Sequence, residues 1–136
     1  MNQHFDACQT FEALWHPGGV DRTLPQPDRD RIDLVSVLHA LADPVRLTLV
    51  RRLAANGAQS CAVAAEGIGV TASTASHHYR VLREAGVINV RLEGRLRYVQ
   101  LRREDLDARF PGLLASVVAA AGGPSYSATS VREIHS

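Results

Sequence analysis

The stretch that most constrains the fold of this chain is residues 71–101, TASTASHHYRVLREAGVINVRLEGRLRYVQL. Thr71 is a helix N-cap residue by type, and Gly86 suits the position just past a helix end, where the backbone turns left-handed. Between them Ala75, Tyr79, Leu82 and Ala85 recur at helical spacing and form an apolar stripe. The other face presents Ser73, Thr74, Ser76, His77, Arg80 and Arg83, with His78 beside the stripe. Residues 87–92 and 96–101 then alternate as two short strands around Glu93-Gly94-Arg95. With that triplet as the loop, Leu92 pairs with Leu96, Val90 with Tyr98 and Arg91 with Arg97. Two arginines side by side repel each other. They are tolerated where their face meets phosphates.

The preceding chain supplies a scaffold. Ile32, Val35, Leu38 and Ala42 fall on one helical face, with Leu34 and Leu41 beside it. Asp43-Pro44 restarts a helix, since Asp caps well and Pro fits the first helical position. That helix carries Val45, Leu47, Leu49, Val50 and Leu53 as far as Asn56-Gly57. Ser60 caps a short third helix through Glu66, and residues 67–70 form a glycine-containing turn into Thr71. Helix, turn, polar-faced helix is the order of a helix-turn-helix. Beyond the ribbon, Leu106, Phe110, Leu113, Val117 and Ala121 step helically, with Pro111 forcing a kink or a fresh start. This apolar face exceeds what a small domain needs for itself, which suggests a dimer seam.

Both ends read differently. Residues 3–15 suit a short amphipathic helix, and residues 17–30, with Pro17, Pro25 and Pro27, suit a linker. Residues 1–31 are therefore read as an arm with a Pro-rich linker, 32–121 as the domain, and 122–136 as a flexible tail.

Charge narrows the partners. The chain is nearly neutral at +1, yet residues 71–103 hold seven Arg against two Glu. Residues 1–33 hold three Arg against six acids. A local basic patch matters more for phosphate binding than the total. No apolar run approaches the roughly 18–20 residues of a membrane span, and the start lacks a basic stretch followed by an apolar one. A cytoplasmic location is expected. Gly67-x-Gly69 lacks the third glycine of a dinucleotide loop, and no strand gathers Ser, His and Asp, so an enzyme is not expected. Cys8 and Cys61 are too few for a disulfide framework.

Residues 40–54 (ALADPVRLTLVRRLA), Ser76-His77-His78 with the run from Leu82 to Ile88, and Arg91-Leu92-Glu93-Gly94-Arg95 with Tyr98 together resemble the ArsR/SmtB family of bacterial winged-helix repressors. The resemblance covers about residues 32–120. It implies a homodimer that binds a double-stranded inverted-repeat operator and releases it when an inducer arrives. Residues 59–64 align with the family's thiolate motif, Cys61 at its first cysteine and Val63 at its second. The family's other common metal site has no counterpart, because Asp105-Leu106-Asp107 carries no histidine. Some members bring an arm cysteine to the cysteine of the first motif helix. Cys8 and Cys61 are accordingly candidates for a redox or thiophilic sensor.

The expected fold is mainly α with a β-hairpin wing, in the order α-α-α-α-β-β-α, homodimeric through the 1–15 arm and the 106–121 helix. The expected DNA contacts are Ser73, Thr74, Ser76, His77, His78 and Arg80 on the helix, with Arg91, Arg95 and Arg97 on the wing. No metal ligand is assigned and no cofactor is expected, apart from a metal or metalloid inducer. Two alternatives stand: a redox- or metalloid-responsive repressor switching through Cys8 and Cys61, and a winged-helix module that binds protein.

Overall fold

The computed structural model describes residues 22–122. The helix expected at 3–15, Cys8 and the tail beyond residue 122 lie outside the described residues.

Five local signals produce the helices. Asp33 caps α1 (Leu34–Leu41) by accepting from the Ser36 amide, and Asp43 caps α2 (Pro44–Asn56) by accepting from the Val45 and Arg46 amides. Ser60 caps the one-turn α3 (Cys61–Ala64), and Thr71 caps α4 (Ala72–Ala85). Gly86 ends α4 with φ 90°, and a Cβ there would stand 2.7 Å from Ile32 Cγ1. Glycine is required twice over, by conformation and by the close approach. Pro111 does not kink a continuous helix. It separates α5 (Arg103–Arg109) from α6 (Leu113–Ala121), the second of the two expected outcomes.

Among the described residues the sheet has four antiparallel strands, in the order β1 (Arg22–Thr23), β3 (Ile88–Glu93), β4 (Leu96–Leu101), β2 (Gln59–Ser60). The wing is β3 and β4. On either side lie the two-residue strands β1 and β2, neither of which was expected. Strands this short carry no readable alternation.

The ribbon register differs from the expected one by a single residue. Gly94 and Arg95 alone form the turn, Gly94 at φ 62°, so Glu93 faces Leu96 and Leu92 faces Arg97. Arg91 lies opposite Tyr98 and Val90 opposite Val99; the Arg91–Arg97 and Val90–Tyr98 pairs do not form. The physical reason is burial. This register puts Ile88, Val90, Leu92, Val99 and Leu101 on one face, all buried, and a one-residue slip would turn Val99 and Leu101 outward.

Helix α1 also departs from expectation. Val37, Ala40 and Leu41 enter the core with Ile32. Val35 is 72 % exposed, and Leu34 and Leu38 are exposed beside it. The helix is apolar on both sides, and the single chain buries only one of them. In contrast, α6 uses its apolar face within the chain: Leu114 and Ala121 are buried, and Leu113, Val117 and Val118 pack against the core.

The segment read as a linker is part of the domain from Arg22 on. Leu24 is buried in the core, and its amide donates to the Val90 carbonyl. Arginines fasten the rest: Arg83 donates to the Pro25 carbonyl, Arg102 to Pro27, Arg109 to Ile32, and Arg29 pairs with Asp105. Prolines in this segment removed the helical and strand signals, while the pinning comes from residues more than fifty positions away.

Candidate nucleic-acid interface

Helix α4 stands between core and solvent. Ala75, Tyr79, Leu82 and Ala85 are buried, as their spacing required. Burial of such side chains stabilises by roughly 1.5–3 kcal/mol each for the larger ones, which fixes the helix rotation. The Tyr79 hydroxyl donates 2.6 Å to the Cys61 carbonyl, linking α4 to α3. Arg52 on α2 donates to the Ala64 and Glu66 carbonyls and so holds the C-terminal end of α3. The two motif helices and the scaffold are thereby joined by bonds as well as by packing.

With this rotation Ser73, Thr74, His77 and Arg80 are exposed. The Arg80 guanidinium lies 3.2 Å from His77 Nδ1, and the Thr71 hydroxyl donates to that of Thr74. Two residues expected on this face are not there. Ser76 is 7 % exposed and His78 is 8 % exposed. Both neighbour the Ala75–Tyr79 stripe, and the buried arc is wider than a stripe of apolar residues alone suggests.

His78 meets Arg46, a residue that sequence reasoning missed. Arg46 is itself buried on α2, and its guanidinium lies 3.0 Å from His78 Nδ1. Burial, the largest influence, pushes the His78 imidazole below its usual pKa; Asp43 opposes this, while Arg46 and His77 add to it. An arginine three residues into a helix carries no sequence signal of burial, so only the fold discloses it.

The wing arginines separate into three roles. Arg95 is exposed at the turn. Arg91 is half-buried and forked onto the Glu93 carboxylate through Nε and a terminal nitrogen, so its charge is offset locally. Arg97, opposite Leu92, is half-buried and lines a cleft of about 290 Å³ with Cys61, Thr71, Ser76 and Tyr79. Cys61 is thus half-buried at the seam between α3 and α4. Among the described residues no group of three or more His, Cys, Asp and Glu is placed to hold a metal ion, and no helix is long and apolar enough to cross a membrane.

Residues 41–91 match a family model described as a helix-turn-helix domain. The match spans α2 through the middle of β3. Over 96 residues the chain is 35 % identical to the HTH-type transcriptional regulator YceK of Bacillus subtilis, covering 70 % of this chain and 94 % of that protein. It is 34 % identical over 73 residues to a cadmium resistance transcriptional regulatory protein CadC homolog of Staphylococcus aureus, covering 54 % of this chain and 60 % of that one. A third relative is the HTH-type transcriptional regulator MJ1325 of Methanocaldococcus jannaschii. It is 33 % identical over 58 residues, covering 43 % of this chain and 65 % of its own.

Proposed function

We propose that this chain, which belongs to the ArsR/SmtB family of winged helix-turn-helix transcriptional regulators, is a repressor that binds an inverted-repeat operator as a homodimer in the cytoplasm. Its relatives establish the broader point: it is a transcriptional regulator with a DNA-binding helix-turn-helix, and not an enzyme. The observation that carries the finer reading is the exposed strip of Ser73, Thr74, His77 and Arg80 on a helix whose opposite face is locked into the core. Hydroxyls and an imidazole suit base edges, and an arginine suits guanine or phosphate. Arg95 at the wing turn is the second phosphate contact. Ser76, His78, Arg91 and Arg97 support the surface from behind or from the side.

Homodimerisation is supported by the exposed apolar row Leu34, Val35 and Leu38 on α1. A two-fold pair would present two α4 helices to successive major grooves, roughly 34 Å apart. Selection from a random duplex pool tests this reading. A symmetric motif with half-sites about one helical turn apart is the expected result. An enriched motif without symmetry removes the dimer reading, and a failure to enrich any duplex favours a protein-binding module.

A thiol-responsive switch is a second reading, favoured by the position of Cys61 on the α3–α4 seam. A change at that sulfur would press on the two helices that read DNA. Cys8 is the partner this reading requires. Gel shifts repeated with peroxide, arsenite and zinc, on the native chain and a Cys61→Ser variant, decide it: release by none of them eliminates this switch.

A further inference from the structure

We propose that His78 is a positioning residue: its neutral imidazole accepts a hydrogen bond from Arg46 that holds α4 against the α1–α2 elbow, and protonation of the ring loosens α4 and weakens DNA binding. The proposal rests on α4 being the DNA-reading helix.

The contact joins three elements. Arg46 Nε donates 2.6 Å to the Ala40 carbonyl near the end of α1, while its NH1 lies 3.0 Å from His78 Nδ1 in the middle of α4. Arg46 belongs to the first turn of α2, where Asp43 caps its amide. A guanidinium has five donors and no acceptor. Nδ1 must therefore be the acceptor, and the proton of the neutral ring must sit on Nε2. A protonated ring would point an N–H at a cation, so the bond would be lost and replaced by repulsion.

Among the described residues Asp43 is the one neighbour that favours a charged ring, and burial outweighs it. The charged and titratable groups acting on the ring are Asp43 and Arg46 from the α2 end and His77 from its own helix. Asp43 Oδ2 is 4.0 Å from Nδ1, beyond hydrogen-bond range, and already accepts the Val45 and Arg46 amides. Both Arg46 and His78 are buried, so water does not screen the repulsion. Thr74 and His77 flank His78 on the exposed side of the same helix, and a tilt of α4 would displace them together. His77 Nδ1 lies 3.2 Å from Arg80 in a similar contact, so a variant that changes His78 and keeps His77 separates the two rings.

Two measurements test the proposal. In the free protein, nitrogen-proton correlation of the imidazole should find Nδ1 bare at neutral pH. The ring should titrate below the usual histidine range, and the amides of Ser73, Thr74, His77 and Arg80 should shift with the same midpoint. A proton on Nδ1 at neutral pH, or amides indifferent to the titration, overturns the proposal. In the second, the selected duplex is titrated at constant ionic strength with native protein, H78A and H78N, with circular dichroism confirming the fold at each pH. Between about pH 7.5 and a pH about one unit below the ring's own midpoint, native affinity should fall roughly fivefold or more. H78A should bind weakly at both. Asparagine puts an acceptor oxygen where Nδ1 stands and does not titrate, so H78N should recover affinity over H78A and show no fall. Native affinity that holds or rises in acid, or an H78N protein that keeps the fall, refutes the proposal. A native protein that binds no selected duplex refutes the DNA-reading assignment of α4, and the titration in the free protein still decides the contact.

Discussion

The Tyr79 hydroxyl donates a 2.6 Å hydrogen bond to the Cys61 carbonyl, so α4 and α3 before it share a bond as well as an apolar seam. Tyr79 is buried and its ring belongs to the core, and phenylalanine keeps that ring. Tyr79→Phe should therefore cost about 1 kcal/mol, because the carbonyl loses one of two donors and keeps the Ala65 amide, while packing survives. Denaturant unfolding should show a lower midpoint with an unchanged slope. A midpoint equal to the native one would mean that the bond adds nothing.

Gly86 is the least replaceable glycine of the motif. Alanine there would meet a left-handed φ of 90° and place its Cβ 2.7 Å from Ile32 Cγ1. Gly86→Ala should destabilise by about 2–4 kcal/mol, the sum of conformational strain and overpacking. The double variant Gly86→Ala/Ile32→Val relieves part of the clash but not the strain. Thermal melts should place it between the single variant and the native protein.

Arg95 and Arg91 provide a matched pair. Arg95 is exposed at the turn, whereas Arg91 is bound to Glu93 two residues away. Arg95→Ala should weaken binding to every duplex and lower the slope of affinity against salt by about 0.9 for each phosphate left without its arginine. Arg91→Ala should change that slope less. Fluorescence anisotropy across a salt series reads both, and equal slopes for the two variants would contradict the assigned roles.

Asp105 links the N-terminal segment to α5 through Arg29 at 2.7 Å and Arg102 at 2.9 Å. Partial burial on its own raises the carboxyl pKa, but the hydrogen bonds and charges of Arg29 and Arg102 outweigh it and hold it below the usual carboxylate value. A depressed carboxylate binds protons less readily folded than unfolded. Its stabilisation is thus present above the ordinary carboxylate range and lost as pH falls through the depressed value. Asp105→Asn should lower stability near neutral pH and flatten the loss between neutral and acid conditions. Parallel stability-versus-pH curves for the two proteins would be the contrary result.

The row Leu34, Val35 and Leu38 should govern association. Val35→Glu places a charge in the centre of an exposed apolar face without touching the core. Light scattering after size exclusion should find a monomer with a native circular dichroism spectrum, binding the selected operator more weakly. A variant that remains dimeric moves the seam elsewhere.

What the sequence decided by itself is the set of local events. Asp43, Ser60 and Thr71 cap helices because each side-chain oxygen reaches an amide two or three residues ahead, whatever the rest of the chain does. Gly57 and Gly86 end helices for equally local reasons. From those signals the helix-turn-helix and its ribbon were legible, as were the exposed Ser73, Thr74, His77 and Arg80. Tertiary structure decided everything that depended on a distant partner. Leu34–Leu41 is apolar on two sides, and only packing against α4 selects the buried one. The ribbon could close on a two- or three-residue turn, and the burial of Val99 and Leu101 selects the shorter. His78 stands next to His77 in sequence, yet one is exposed and the other answers to Arg46 across 32 positions. Local chemistry sets where elements begin and end. Which side chains they hide is set by the area and polarity of what packs against them, and only the assembled chain brings that surface to bear.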